Sequence, residues 1–387
     1  MTQQRAYKFR IYPNITQKIK LAKTFGNVRY AWNSWVALFN NADIKDKQYK
    51  TAKQFRQEFT WMTNSSAATI QQKERDFFEF KKQFFSKKRK KHLGRPTFKA
   101  KHMRQSFRLP NQKFYILSNK IQLEKIGKVS ITLDRQIKGI LKNVTVSKDL
   151  CNNYYVSVLV EEAINYKTKT TKHVGIDVGL KEFATLSTGE MISNPRLFRK
   201  NQSKLKKLQQ HFSRKKKSSV RRDKFKLRVA KLYNTISNQR DFFLHNLSTK
   251  IVTNFDIIAV EDLNISGMLK NHKLAKSIQD VSWAKFFNQL EYKSKWYGKE
   301  LRKVGRFVPT SKTCNICGYY YKNLTLEIRD WICPDCGVKH DRDVNAAKNI
   351  LKNSVGVNAE DNQTWRDSKT LEKLSSKASF DEVFRVP

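Results

Sequence analysis

The sequence predicts a multidomain α/β protein, on three observations. Alternating, strand-like residues open the chain and return between residues 114 and 160, on either side of a helical stretch rich in Phe and Lys. Strand signals and helical periods then mix from about residue 173 onward. Two Cys-x-x-Cys pairs stand close together near the end. With 387 residues, and about 100–200 residues per domain as a prior, two or three domains are expected.

The first element is Tyr7-Lys8-Phe9-Arg10-Ile11-Tyr12, which alternates as a strand does and stops at Pro13. From about Thr16, residues Ile19, Leu21, Phe25, Val28 and Trp32 form an apolar stripe, and residues 36–90 continue as helix. Residues 81–108 hold twelve basic residues and no acidic one. Such a block is often a solvated loop, but Phe84, Phe85, Phe98 and Phe107 interleave it, which suits phosphate neutralisation combined with base stacking. Short alternating runs at 129–133, 144–146 and 154–160 predict a small antiparallel sheet or barrel, in which Cys151 reads as a core strand residue. The polar stretch 165–172 reads as a linker.

The second domain opens with strand signals at 174–178 and 182–187 and a turn at Thr188-Gly189. Residues 196–231 carry sixteen basic residues against one acid, Asp223. Leu205, Leu208 and Phe212 make one apolar stripe there. Phe225, Val229, Leu232, Ile236, Phe243 and Leu247 make another, so two helices joined through residues 213–219 are expected. Sixteen charges of one sign favour a hairpin that tracks phosphates over one that is merely solvated. The apolar run 256–261 ends in an acid and reads as a buried central strand, followed by a helix over 283–297 and a strand near 301–304. Residues 353–387 are polar, mixed in charge and read as a mobile tail.

Charge narrows the function. The chain has 78 Lys+Arg against 33 Asp+Glu, a formal net charge of +45, which points to a nucleic-acid partner and away from an enzyme of small metabolites. Aromatic content of 12% supplies real cores, so the charge belongs to a folded body. No apolar run approaches the roughly 18 residues of a membrane span and no secretory leader is evident, so an intracellular protein without a membrane partner is expected.

Two sets of residues carry chemistry. Cys314-x-x-Cys317 and Cys333-x-x-Cys336 can each present two sulfurs to one tetrahedral ion, with Gly318 and Gly337 placed to close the knuckle turns. A redox pair is the competing reading, but no thioredoxin-like context surrounds it. Four thiolates leave no open position, so the expected Zn²⁺ is structural. The second set is acidic. In Val174-Gly175-Ile176-Asp177-Val178-Gly179 the apolar residues share one strand face, leaving Asp177 between glycines on the other, open to a metal and a phosphodiester. Glu261 ends the apolar strand, where α/β sheets place ligands. Asp343 precedes Ala346, Ala347 and Ile350 at i+3, i+4 and i+7, so it faces the sheet. Asp341 reads better as the helix cap, and Asp262 as pointing away. Three carboxylates in a very basic protein suit two divalent ions, Mg²⁺ or Mn²⁺, about 4 Å apart in phosphodiester hydrolysis.

The motifs Gly-Ile-Asp177-x-Gly, Val-Glu261-Asp-Leu-Asn and Asp-Arg-Asp343-x-Asn-Ala-Ala, in order around the cysteine ribbon, resemble the TnpB family of insertion-sequence nucleases, related to type V CRISPR effectors. Tyr7 through Pro13-Asn-x-x-Gln17, Phe25-Gly26-x-x-Arg29 and Gly94-Arg-Pro96-x-Phe98-Lys99 resemble its N-terminal half. The resemblance implies a RuvC/RNase H-like nuclease domain over residues 171–310 with a basic hairpin at about 196–250. It further implies an inserted zinc ribbon at 311–340 and a final RuvC helix at 341–352. Residues 1–170 become a wedge β-barrel with a helical recognition insert at about 16–95. Asp177, Glu261 and Asp343 become Mg²⁺ ligands and catalytic residues, and by the same analogy Arg329 is a candidate to reach the scissile phosphate, against the plainer reading of a surface arginine. Implied partners are a guide RNA made from the element's end and double-stranded target DNA beside a short adjacent motif, met by a monomer in the cytoplasm at the nucleoid. A protein that binds DNA under RNA guidance without cutting it, as a repressor or transposition regulator, is the alternative. An unguided zinc-ribbon DNA-binding factor is a third.

Overall fold

A computed structural model describes residues 2–41, 48–86, 93–164, 166–325 and 327–355. The chain divides into two compact units, Met1–Ile164 and Asn165–Pro387. The first boundary expected from sequence, 170, thus lies within the second unit. The tail expected from 353 is helical through Val355, and residues 356–387 lie outside the described residues.

In the first unit, strand β1 (Thr2–Tyr12) buries Tyr7, Phe9 and Ile11 and turns Lys8, Arg10 and Tyr12 outward. Pro13 lets the chain turn, and Asn14 caps helix α1 (Ile15–Asn40): its Oδ1 accepts from the Gln17 backbone at 2.8 Å while the Gln17 side chain accepts from the Asn14 backbone at 3.0 Å. The Asn-x-x-Gln spacing is therefore a capping box. Helices α2 (Ala52–Glu58) and α3 (Ala67–Phe85) pack with α1 around Trp35, Phe39, Phe55, Met62 and Phe77, with Trp35 stacked on Phe77 at 5.6 Å. The basic segment after α3 is strapped along α1: Trp32 Nε1 donates to Thr97 O, Asn33 Nδ2 to Lys99 O and Asn40 Nδ2 to Pro96 O.

Here the structure corrects the stacking expectation. Phe107 is a core residue and Phe84 packs against Phe39, so only Phe85 and Phe98 of the four aromatics stand exposed. The strongest part of the basic run, 87–92, lies outside the described residues.

Strands β2 (Gln105–Pro110), β3 (Phe114–Ile116), β4 (Lys120–Leu123), β5 (Gly127–Thr132), β6 (Ile140–Lys148) and β7 (Tyr154–Ala163) join β1 in one antiparallel sheet of seven, ordered β2-β6-β7-β1-β5-β4-β3. The edge strands β2 and β3 are joined by the single turn Asn111–Lys113. Four residue steps reach about 14 Å, whereas edges of a flat seven-stranded sheet stand about 29 Å apart, so the sheet must curl until its edges approach. Val129, Val144, Val146, Val156 and Val158 fill the interior. Cys151 is buried, as expected, but sits in the β6–β7 turn, where its N–H donates to Asp149 Oδ1.

The second unit is built on a sheet of five, ordered β10-β9-β8-β11-β12, formed by β8 (His173–Val178), β9 (Glu182–Leu186), β10 (Met191–Ser193), β11 (Ile257–Glu261) and β12 (Glu300–Val304). The first three form an antiparallel meander, while β11 runs parallel to β8 and β12. Between β10 and β11 the chain makes α4 (Leu197–Ser213) and α5 (Val220–Asn254), and between β11 and β12 it makes α6 (Ile265–Met268), α7 (His272–Val281) and α8 (Trp283–Tyr297). The helical hairpin falls where the two stripes require it, zipped by Leu205, Val229, Leu232 and Ile236. All of its sixteen basic residues except Lys215, Arg222 and Lys226 are exposed, and those three are half-buried.

The two sheet faces have different tasks. Val174, Ile176, Ile258 and Val260 pack with Leu244, Leu247, Phe286 and Leu290 of α5 and α8. The opposite face, with Ala259 and Val304, meets Ile350 of the last helix, α9 (Arg342–Val355). Gly175 is where the approach is closest: a Cβ there would stand 2.0 Å from Ala347 O. Gly175 therefore admits α9 onto the sheet and does not open the strand to a phosphodiester, as the sequence had suggested.

Candidate metal centres

Parallel register sets up the acidic site. Ile176 of β8 pairs with Val260 of β11, so Asp177 and Glu261 follow side by side at the carboxyl ends of the two central strands. Alternation turns both toward the face covered by α9, which brings Asp343 in its first turn. Asp341 caps that helix, accepting from the backbones of Asp343 at 2.9 Å and Val344 at 2.8 Å. Asp262 turns to Arg306, at 2.9 Å.

The three carboxylates interact. Burial first, then the charges of Glu261 and Asp343, push the Asp177 carboxyl up to about 8, against the pull of Arg342 and the Val178 backbone. A buried carboxyl raised in this way by its acidic neighbours is suited to a cation, which relieves both the burial cost and the repulsion. Their oxygen donors suit Mg²⁺ or Mn²⁺. The surrounding donors are oriented: Thr310 Oγ1 donates to Glu261 Oε1 at 2.5 Å, and Arg329 and Arg342 both pair with Asp343. Arg329 is therefore a neighbour of the acidic site rather than a surface arginine alone. Thr310 carried no sequence signal and Arg342 stood in the Asp-Arg-Asp343 motif without a role, because what they do depends on which loop and helix end are brought to the sheet.

The cysteines form the tightest group of metal-ligating side chains among the described residues, with all four sulfurs within 4.8 Å of one another. Cys314 and Cys336 lie 3.7 Å apart, Cys317 and Cys333 3.6 Å. A tetrahedron with Zn–S bonds of about 2.3 Å has edges of about 3.75 Å, so the set fits zinc. Each pair closes alike: Gly318 N donates to Cys314 O and Gly337 N to Cys333 O, with φ of +83° and +69° at the two glycines. Strands β13 (Asp330–Ile332) and β14 (Lys339–Asp341) carry the second pair, and buried His340 sets its Nε2 3.1 Å from Cys314 Sγ.

A curled β-sheet unit with an aromatic helical insert, and an α/β unit that carries an acidic sheet end and a thiol cluster able to hold a metal, make up a strongly basic two-unit protein. Comparison with known proteins places it. Residues 155–272 match the family described as OrfB_IS605, probable transposase; residues 283–350 match the Cas12f1-like TNB domain; residues 1–42 match the OrfB_IS605 helix-turn-helix domain, although here they form a strand and one long helix. A Streptomyces pristinaespiralis protein named "Putative RNA-guided DNA endonuclease" is 36% identical over 92% of this chain and 90% of its own. InsQ of Escherichia coli K12, which carries the same name, is 31% identical over 91% of this chain and 92% of its own. The chain belongs to the TnpB (OrfB_IS605) family. Its fold is similar to that in a cryo-EM structure of a Cas12f1–sgRNA–target DNA complex, with TM-score 0.54 and 15% identity over 90% of this chain and 99% of that one.

Proposed function

We propose that this chain is an RNA-guided DNA endonuclease of a transposable element, cutting guide-matched DNA beside a short adjacent motif. The single observation that carries the reading is the meeting of Asp177, Glu261 and Asp343 at one sheet end, with Asp177 pushed up to about 8 by burial and its acidic neighbours. The sheet order, an antiparallel meander continued by parallel strands, supports assigning residues 171–310 and 341–352 to a RuvC/RNase H-like domain. Residues 311–340 are then its zinc ribbon, and residues 1–170 the wedge barrel with its recognition insert.

Divalent cations held by the three carboxylates would supply an activated water and stabilise the leaving oxygen. The chain's own residues arrange that site: Thr310 fixes Glu261, and Arg329 and Arg342 fix Asp343 while keeping positive charge where a phosphate would enter. The exposed cations of α4 and α5 offer a phosphate track. A guide RNA and double-stranded DNA are the partners, met by a monomer in the cytoplasm at the nucleoid. Among the described residues no helix is long and apolar enough to cross a membrane.

The test is cleavage of guide-matched DNA by the ribonucleoprotein. Mg²⁺-dependent cutting is expected from the wild type and none from Asp177→Ala, with RNA binding retained by both. Equal cleavage by the two proteins would remove the site assignment, and bound but uncut DNA with the wild type would favour a guided repressor.

A further inference from the structure

The segment 310–315 is tied to both sides of the acidic site and ends inside the first zinc knuckle. On one side Thr310 Oγ1 donates to Glu261. On the other, two asparagines of α9 hold its backbone. Asn345 Nδ2 donates to Thr313 O at 2.7 Å while its Oδ1 accepts from Asn315 N at 2.9 Å, and Asn315 lies between Cys314 and Cys317. Asn349 Nδ2 donates to Thr310 O at 2.8 Å and Thr313 O at 2.6 Å. Both asparagines are buried, 1% and 3% exposed, on the helix whose first turn carries Asp343.

We propose that Asn345 and Asn349 are positioning residues that couple the zinc knuckle to the carboxylate site, so that filling the four-cysteine site strengthens divalent-cation binding at Asp177, Glu261 and Asp343. The argument is geometric. Buried amides that satisfy otherwise orphaned backbone groups fix the segment only while its far end is fixed, and that end is the knuckle at Cys314. A ligated knuckle holds residues 313–315 in one conformation, which holds Asn345 and through it the helix turn bearing Asp343. Thr310 carries the same constraint to Glu261. Loss of such outer contacts costs metal sites about 10–100-fold in affinity. Coupling of this kind is reciprocal, so a divalent ion in the acidic site must tighten zinc by the same factor.

The inference rests on the acidic site being a cation site, and the experiment separates the two claims. Mn²⁺ binding to the full-length protein is measured by the electron paramagnetic resonance signal of the free ion, with zinc present and after extraction, and in Asn345→Ala and Asn353→Ala. Asn353 serves as control because its side chain bonds only Asn349 O within the same helix. Zinc extraction and Asn345→Ala should each weaken Asp177-dependent Mn²⁺ binding at least about tenfold, while Asn353→Ala stays within about twofold. Zinc affinity, read by competition with a chromogenic chelator, should rise at least about tenfold with saturating Mg²⁺ in the wild type; this arm needs no variant and stands if Asn345→Ala does not fold. Asp177-dependent Mn²⁺ binding indifferent to zinc overturns the coupling alone. Absence of Asp177-dependent binding in the zinc-loaded wild type overturns the acidic cation site as well.

Discussion

A Cβ on Gly175 would stand 2.0 Å from the backbone oxygen of Ala347 and 2.8 Å from the backbone nitrogen of Leu351. Both partners are helix backbone, so neither can step aside as a side chain can. Gly175→Ala is therefore expected to lift α9 from β8 and to cost about 3 kcal/mol, the upper range for overpacking. Because α9 carries Asp343, DNA cleavage should fall more than RNA binding. Chemical denaturation and a paired cleavage assay check this, and an unchanged midpoint would mean that α9 does not seat as described.

Asp177 makes the fold and the site oppose each other. Its carboxyl is pushed from 3.8 up to about 8, so between those values the native chain holds a proton that the unfolded chain has released. Its contribution to stability is then harmless below pH 4 and grows more unfavourable as pH rises to about 8. In magnesium-free buffer with zinc retained, Asp177→Asn should melt higher than wild type at pH 8, with a smaller difference at pH 5. Added Mg²⁺ should raise the wild-type midpoint and leave the variant unmoved. Differential scanning fluorimetry at the two pH values decides it.

Much of this was legible from local pattern. The second unit's hairpin follows from stripes at helical spacing, α8 from its own period, and the knuckles from cysteine spacing with glycine after each pair. Asp177 could be assigned a face by alternation, Asp343 a face by helical step and Glu261 a strand end, since these are properties of single elements. What sequence could not supply was packing between elements. Gly175 read as an opening because nothing in its strand says that α9 lands there, and Phe107 read as a stacking residue because its basic neighbours hide a core position of β2. Helices α6 and α7 went unseen because they are short, four and ten residues, and the ties that hold α7, such as Arg240 to Asp280 at 2.9 Å, are long-range.

The helical hairpin offers a test of the phosphate track. Lys204, Lys207, Lys216 and Arg221 are exposed on α4, α5 and the turn between them, so changing all four to Gln should leave the thermal midpoint nearly unmoved. Affinity for RNA should fall, and the slope of log affinity against log salt should shrink by about 0.7–0.9 for each phosphate contact removed. A titration at four salt concentrations measures it. A parallel loss of affinity with the slope unchanged would place these residues outside the track.

Thr310 Oγ1 donates to Glu261 Oε1 at 2.5 Å, and Thr310 itself is buried. Thr310→Val keeps the shape and removes the donor, leaving Glu261 free to rotate away from Asp177 and Asp343. The expected loss in cleavage is about 10–100-fold, as for other partners that orient metal-binding carboxylates. Thr310→Ser restores the hydroxyl and should recover most of the rate, whereas a role in packing alone would be served better by Val. The Mg²⁺ concentration for half-maximal cleavage should rise in Thr310→Val and return in Thr310→Ser, because the hydroxyl acts by holding a ligand in place. If Val and Ser behave alike, Glu261 is positioned by its strand and not by Thr310.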